Sequence, residues 1–338
     1  MTAERYARVV SLGSALPERV VPNAYFESLD IGTNDQWIFE RTGIRERRFA
    51  AAGETTSSLA AAAGRSCLDA ARVDPRSVDL LVLATCSPDR WMPAGAVPVA
   101  ERLGLTCPGF DLNAACAGFV YALEVGAAHV RAGSAERVLV IGADVMSRLL
   151  NLQDRTTCVL FGDGAGAMLL EPSSDPGVID STLHMDPHWT EVLTIPAGGS
   201  EDPASPEAVA ERRTTIRMPD GQAVFKHAVV GMADACRSLL EKAGFRPDEV
   251  RAVIGHQANA RIINALGKRM GLGADVVWVD MAEVGNTSAA SIPLALDRGW
   301  RTGRLSAGDL VLTVAFGAGF AWGANLIRWT ASTPAPGA

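Results

Sequence analysis

The sequence predicts an α/β protein built from two related halves, each a mixed or parallel sheet with helices packed on it. Short apolar, β-branched runs alternate with helical stretches along the whole chain. A set of landmarks recurs at nearly one spacing. The 338 residues, 48% hydrophobic and 20% charged, suffice for a large covered core.

Along the chain, the alternation in residues 5–13, RYARVVSLG, reads as a first strand. Residues 71–86, ARVDPRSVDLLVLATC, read as a helix end, a proline turn and a buried strand. CPGFDL (107–112) is strand-like, AGFVYALEVGAAHVRAG (117–133) is helical, and RVLVIGAD (137–144) is again a strand. The stretch from about 184 to 224 is polar and rich in Pro and Gly, and it reads as an irregular insert of the kind used for binding loops or lids. Beyond it, AGFRPDEVRAVIGHQ (243–257) repeats the helix end, proline turn and strand, QANARIINAL has helical spacing, and RTGRLSAGDLVLTVAFG (301–317) repeats RAGSAERVLVIGAD (131–144).

The landmarks are regular. Pro75 and Pro247 stand 172 positions apart, Gly133 and Gly303 stand 170 apart, and 170 also separates Cys116 from Asn286, which equates these two residues. A duplication with halves 1–175 and 176–338 accounts for them; loose βα punctuation is the alternative.

Composition excludes several classes. The net charge of -7 opposes nucleic-acid binding. No apolar run approaches the roughly 18 residues of a membrane span, the charged start is unlike a signal peptide, and the six scattered cysteines read as reduced thiols. A cytoplasmic protein is expected. The string GDGAGA (162–167) fits a dinucleotide pattern, but Glu171-Pro172 soon afterwards cuts off any crossover helix. His184 and His188 have metal-ligand spacing, yet Pro187 between them breaks helical geometry, and no metal is expected.

Three residues stand out chemically. Cys116 in NAACAGF lies between a strand and a helix start, where small neighbours and the helix N-terminus favour a thiolate nucleophile; a buried structural thiol is the other reading. Cys67 and Cys236, inside amphipathic helices, read as structural. His256 follows the run AVIG and is thereby presented at a strand's end, where it can exchange a proton near neutrality. Asn286 in GNTSAAS opens the helix that the repeat equates with the one behind Cys116, as a partner of Cys116 and His256 or simply as an N-cap.

With AACAGF at Cys116, HQANARII at His256, GNTSAAS at Asn286, FGDGAGA at 161–167 and the closing FGAGFAWGA, the chain resembles the β-ketoacyl-acyl carrier protein synthase III family of the thiolase superfamily, over essentially its whole length. The resemblance implies a five-layer αβαβα fold, a homodimer and a Cys116-His256-Asn286 triad. It implies acyl transfer from acyl-CoA to Cys116, with the backbone N–H groups of Cys116 and Ala318 as the oxyanion hole. Ala318 stands where the family often has glycine. Decarboxylative condensation with malonyl-acyl carrier protein follows, with His256 and Asn286 stabilising the enolate, and no cofactor is implied.

By the same resemblance Trp37 stacks on the CoA adenine with Arg41 nearby and Arg155 across the tunnel mouth, while Phe225, Ala258 and Asn259 line the pantetheine channel. Trp37 as ordinary core is the bland alternative. Trp91 and Met92 fall where the family's dimer mate projects a side chain into the acyl pocket, with Met146 near it. Arg261 and Lys268, seven apart on one predicted helix face, with Arg269 adjacent and Lys226 joining them, form a docking patch for the acidic carrier protein or else a solvated face. Two rival functions stand beside condensation: acyl transfer to an oxygen or nitrogen nucleophile, and a silent carrier-protein-binding partner.

Overall fold

The computed structural model describes residues 5–332. The first half runs β1 (Tyr6–Ala15), β2 (Val20–Pro22), α1 (Asn23–Glu27), α2 (Asp35–Thr42), β3 (Glu46–Arg48), α3 (Thr56–Ala71), β4 (Leu80–Ala84), α4 (Ala96–Leu103), β5 (Gly109–Leu112), α5 (Gly118–Arg131), β6 (Val138–Val145) and β7 (Asp163–Ser173). The second runs β8 (Val178–Trp189), α6 (Pro206–Ala210), α7 (Gly221–Ala243), β9 (Ala252–Gly255), α8 (Ala260–Met270), α9 (Ser291–Arg301), β10 (Leu310–Gly317) and β11 (Gly319–Arg328). Short 3-10 turns at Pro75–Ser77, Ala115–Ala117, Pro247–Glu249 and Ser288–Ala290 punctuate both halves alike.

Among the described residues nine strands form one mixed sheet in the order β5-β4-β6-β7-β1-β8-β11-β10-β9, whose two halves meet at Ala7 and Val178, while β2 and β3 pair separately. Helix α3 packs on β1, β6 and β7, and α7 packs on β8, β10 and β11. Between the half-sheets lie α5, which touches strands of both, and α9, which touches β1, β7 and β9. The result is the expected helix-sheet-helix-sheet-helix stack. All residues of β4, β6 and β10 are buried, which is why these strands read as continuous apolar runs instead of alternating ones. The approach of α3 to β1 is close enough that a Cβ on Gly13 would lie 2.3 Å from the Cys67 backbone nitrogen.

The equation of Cys116 with Asn286 is off by three residues. The turn Ala115–Ala117 matches Ser288–Ala290, so Asn113 is the counterpart of Asn286 and Cys116 falls opposite Ala289. In both turns an asparagine oxygen accepts the N–H two residues on, at 3.0 Å from Ala115 and 2.9 Å from Ser288, and that residue turns left-handed with φ of 46° and 51°. Helix α9 has 11 residues where α5 has 14, and this shortening restores the spacing at Gly133 and Gly303.

The insert is also narrower than its composition suggests. Residues 184–189 belong to β8 and 221–224 to α7, because strand pairing with β11 and the Asp220 cap carry regular structure into the polar stretch. The GDGAGA glycines lie at the start of β7, an antiparallel strand, where a Cβ on Gly166 would meet the Pro293 side chain at 2.7 Å. Their smallness admits α9; no helix follows to bind a dinucleotide.

Candidate active site

Cys116 occupies the middle of its 3-10 turn, directly before α5, and is 8% exposed. The end of β10 abuts this turn: a Cβ on Gly317 would lie 2.9 Å from the backbone nitrogens of Cys116 and Ala117. Gly317 therefore has to be glycine, and its fit sets the Ala318 turn beside the sulfur. Cys116 and Ala318 line one cavity of about 600 Å³. Its walls include Met146, Phe161 and Trp91, and Leu193, Ile195 and Ile216 from the irregular insert. The insert thus supplies part of the cavity wall.

His256 and Asn286 do not line that cavity, and both are buried at 4% exposure. They join Cys116 through the segment 286–291. The Asn286 N–H bonds the Leu160 carbonyl at 2.9 Å, and its carbonyl receives the Gly162 N–H at 2.9 Å, clamping it to the start of β7. Ser288 Oγ stands 3.5 Å from Cys116 Sγ. Ser291 Oγ stands 2.7 Å from His256 Nδ1, while the His256 N–H bonds the Val314 carbonyl at 2.7 Å and is held at the end of β9 against β10. Asp144, at the far end of β6 and fully buried, accepts hydrogen bonds from Thr85, Cys86 and Ser87 of the first half and from the Ala289 N–H of the second.

Burial pushes the Cys116 thiol up to about 12; the Ser288 hydroxyl opposes this and the Asp144 carboxylate reinforces it. Burial thus favours the protonated sulfur in the resting site, the opposite sense to the helix N-terminus at which it sits. Burial also lowers His256 to about 4, which leaves a neutral imidazole at physiological pH. Above pH 6.5 native and unfolded His256 are both neutral and contribute nothing. As pH falls from 6.5 to 4 the unfolded chain takes up a proton that the native imidazole refuses, so stability drops by about 3 kcal/mol in total. Denaturant titrations of wild type and His256→Asn across this range isolate the effect as the difference in slope; equal slopes would exclude a buried neutral imidazole.

Trp37, half-buried on α2, carries the Arg41 guanidinium 4.8 Å and the Arg155 guanidinium 5.0 Å from its ring centroid. Arg155 therefore lies over the ring, not across a mouth from it, because its guanidinium gains a cation-π contact there and donates to the Gly32 carbonyl. Asn259 donates to the Arg41 carbonyl at 3.0 Å, which joins α2 to the start of α8. Ala258 follows His256 and Gln257, and Phe225 stands 37% exposed on α7. Met146 lines the cavity, whereas Met92, 85% exposed, does not line the cavity of its own chain.

Arg261 and Lys268 are exposed on α8, and Lys226 is exposed on α7. Arg269 is set about 100° around the helix from Lys268 and turns toward α7, where it pairs with Asp234 at 3.6 Å. Sequence reasoning missed Asp144, Ser288, Ser291 and Cys86. Ser288 and Ser291 lay within the GNTSAAS string, but only folding shows which hydroxyl meets a sulfur and which an imidazole. Among the described residues no group of three or more His, Cys, Asp or Glu is placed to hold a metal ion, and His184 stacks on Trp322 while His188 bonds Asp186.

Two family models match the chain: 3-oxoacyl-[acyl-carrier-protein (ACP)] synthase III over residues 110–187, and its C-terminal counterpart over residues 240–329. The β-ketoacyl-[acyl-carrier-protein] synthase III of Methylococcus capsulatus is 45% identical, covering 96% of this chain and 99% of its own. That of Rhizorhabdus wittichii is 46% identical over 96% of this chain and 100% of its own. Among solved structures, 3-oxoacyl-(acyl carrier protein) synthase III from Pseudomonas aeruginosa superposes with a TM-score of 0.89 at 38% identity, covering 97% of this chain and 100% of that one. The priming β-ketosynthase of the R1128 polyketide pathway superposes at 0.90 with 37% identity, covering 99% of each chain. With relatives this similar along nearly the whole length, on the fold that sets Cys116 beside the Ala318 turn, the chain belongs to the β-ketoacyl-[acyl-carrier-protein] synthase III family.

Proposed function

We propose that the protein condenses an acyl-CoA primer with malonyl-acyl carrier protein to give a β-ketoacyl thioester, by way of an acyl group on Cys116. The observation that carries this reading is that Cys116 opens on a cavity shared with the Ala318 turn, while one short segment links its sulfur to Asn286 and to His256. The N–H groups of Cys116 and Ala318 hold the oxyanion as the primer is transferred. Loss of CO2 from the malonyl group then leaves an enolate, for which neutral hydrogen-bond donors suffice. Asn286 commits its side-chain oxygen to the Ser288 N–H and keeps its Nδ2 group to donate. Ser291 Oγ accepts the Gln257 N–H at 3.3 Å and stands 2.7 Å from His256 Nδ1; in the tautomer this reading uses, its proton goes to Nδ1 and the ring proton is on Nε2. The reaction calls on no cofactor.

CoA enters beside Trp37, Arg41 and Arg155, with Phe225, Ala258 and Asn259 along the pantetheine path. The apolar wall of Met146, Leu193, Ile195 and Ile216 receives the alkyl chain of the primer. Exposed Trp91 and Met92 serve a second copy in a cytoplasmic homodimer whose halves, 1–175 and 176–338, descend from one duplicated unit. Residues 1–4 and 333–338 of these boundaries lie outside the described residues. Arg261, Lys268 and Lys226 attract the acidic carrier protein, with Arg269 contributing less because its guanidinium turns toward α7 and the Asp234 carboxylate that it shares with Arg237. Reversing both charges, Arg261→Glu with Lys268→Glu, raises the KM for the carrier protein about tenfold and leaves primer uptake from acyl-CoA unchanged; an unchanged KM would assign these cations to solvent alone.

The deciding experiment supplies acyl-CoA and malonyl-acyl carrier protein carrying a labelled free carboxyl. Labelled CO2 together with an acyl adduct on Cys116 supports condensation. An adduct without CO2 points to transfer onto an oxygen or nitrogen acceptor, and no adduct points to a silent partner.

A further inference from the structure

Ser288 contributes the side chain that touches the reacting sulfur. Its residue is fully buried and its backbone is left-handed, with φ of 51°. Among the described residues its hydroxyl has two partners, both sulfur: Cys116 Sγ at 3.5 Å and Cys86 Sγ at 3.7 Å. Its N–H is held by Asn286 Oδ1 at 2.9 Å, so the hydroxyl is carried on the same rigid turn as the candidate enolate donor.

A buried hydroxyl without a good acceptor costs free energy. A thiol sulfur is a weak acceptor, whereas a thiolate accepts a charge-assisted bond. The Ser288 hydroxyl is therefore poorly satisfied while Cys116 keeps its proton and well satisfied once the proton has gone. An interaction stronger in the reactive form than in the resting form is the kind that raises a rate. Other ionisable groups near the sulfur do not provide it. Asp144 from the end of β6 opposes the negative charge, Cys86 after β4 is itself held protonated by burial, and His256 is joined to the site through Ser291. The β10 strand and the Ser288–Ala290 turn carry no charged side chain.

We propose that the Ser288 hydroxyl is a catalytic hydrogen-bond donor to Cys116 Sγ, stabilising the thiolate that attacks the acyl thioester. In that step the Cys116 sulfur bonds to the acyl carbon, the bond from that carbon to the CoA sulfur breaks, and the proton given up by Cys116 ends on the departing CoA thiol. Ser288 keeps its own proton throughout. The inference rests on Cys116 being the nucleophile, as the proposed function has it.

Ser288→Ala tests it, and the turn tolerates alanine: Ala115, at the matching place in the first half, holds φ of 46°. The rate of Cys116 alkylation by iodoacetamide is followed from pH 6 to 10 with the modified peptide identified by mass spectrometry. Loss of a hydrogen bond to a charged acceptor moves the profile of Ser288→Ala to higher pH and lowers the rate at neutral pH about tenfold or more. Cys86→Ala, which removes the competing partner, leaves the profile in place or moves it to lower pH. A Ser288→Ala profile that overlays wild type overturns the proposal, and so does an upward shift in Cys86→Ala. Alkylation reads the sulfur without acyl-CoA, so a wild-type protein that alkylates but is never acylated sinks the condensation reading and not this one.

Discussion

Cys116→Ala is expected to fold, to take no acyl group from acyl-CoA and to lose condensation by about 10⁴-fold or more. Among the described residues the cavity is lined by two thiols, Cys116 beside the Ala318 turn and Cys86, and the Cys86 thiol contacts Met146 Sδ at 3.9 Å and Ser288 Oγ at 3.7 Å. Cys86→Ala is accordingly expected to retain the adduct. The structural cost of Cys116→Ala is small, because alanine already sits on both sides of Cys116 in the same turn and only the sulfur is removed. Intact-mass measurement after exposure to acyl-CoA reads the outcome directly. An adduct of full stoichiometry on Cys116→Ala would move the nucleophile elsewhere and take the proposed mechanism with it.

The second large effect separates the two chemical steps. His256→Ala and Asn286→Ala each keep acylation of Cys116 and lose release of CO2 from malonyl-acyl carrier protein by about 10²- to 10³-fold, the usual effect of removing one donor from a developing oxyanion. The split is expected because, among the described residues, hydrogen bonds link the two side chains to the segment of Ser288 and Ser291, while acyl transfer relies on backbone N–H groups that both substitutions leave in place. His256 serves as a donor because burial holds it neutral, near 4, so decarboxylation gains hydrogen bonds without requiring a charged imidazolium in a dry site. Equal loss of acylation and decarboxylation in His256→Ala would instead make the imidazole the base that activates the thiol. Single-turnover acylation and labelled CO2 release, measured on the same preparations, distinguish the two.

Much of this site was legible along the chain. A cysteine among small residues before a helix and a histidine at the end of an apolar run are local patterns, and both survive folding at element ends, Cys116 in the turn before α5 and His256 after β9; Asn286 does not open α9 but precedes the Ser288–Ala290 turn that leads into it. The repeat was legible too, because proline turns and left-handed glycines such as Gly133 and Gly303 are imposed by backbone geometry wherever they occur. Its register at Asn286 was not, since α9 differs from α5 in length and the offset shifts within the unit. Arg269 illustrates the same limit, as its neighbours in sequence are cations of the docking face while its neighbour in space is Asp234.

Composition, periodicity and turn residues by themselves determined a doubled α/β chain with its reactive groups at element ends, because these features depend on residues a few positions apart. The tertiary structure alone decided that the Cys116 thiol rests protonated, that Asp144 ties the halves together, that guanidiniums cover Trp37, and that a buried serine hydroxyl is aimed at the sulfur. These are consequences of burial and of contacts between distant segments, as between Ser288 and Cys116 or Ala289 and Asp144. Desolvation and hydrogen-bond geometry exist only once the chain has closed around them.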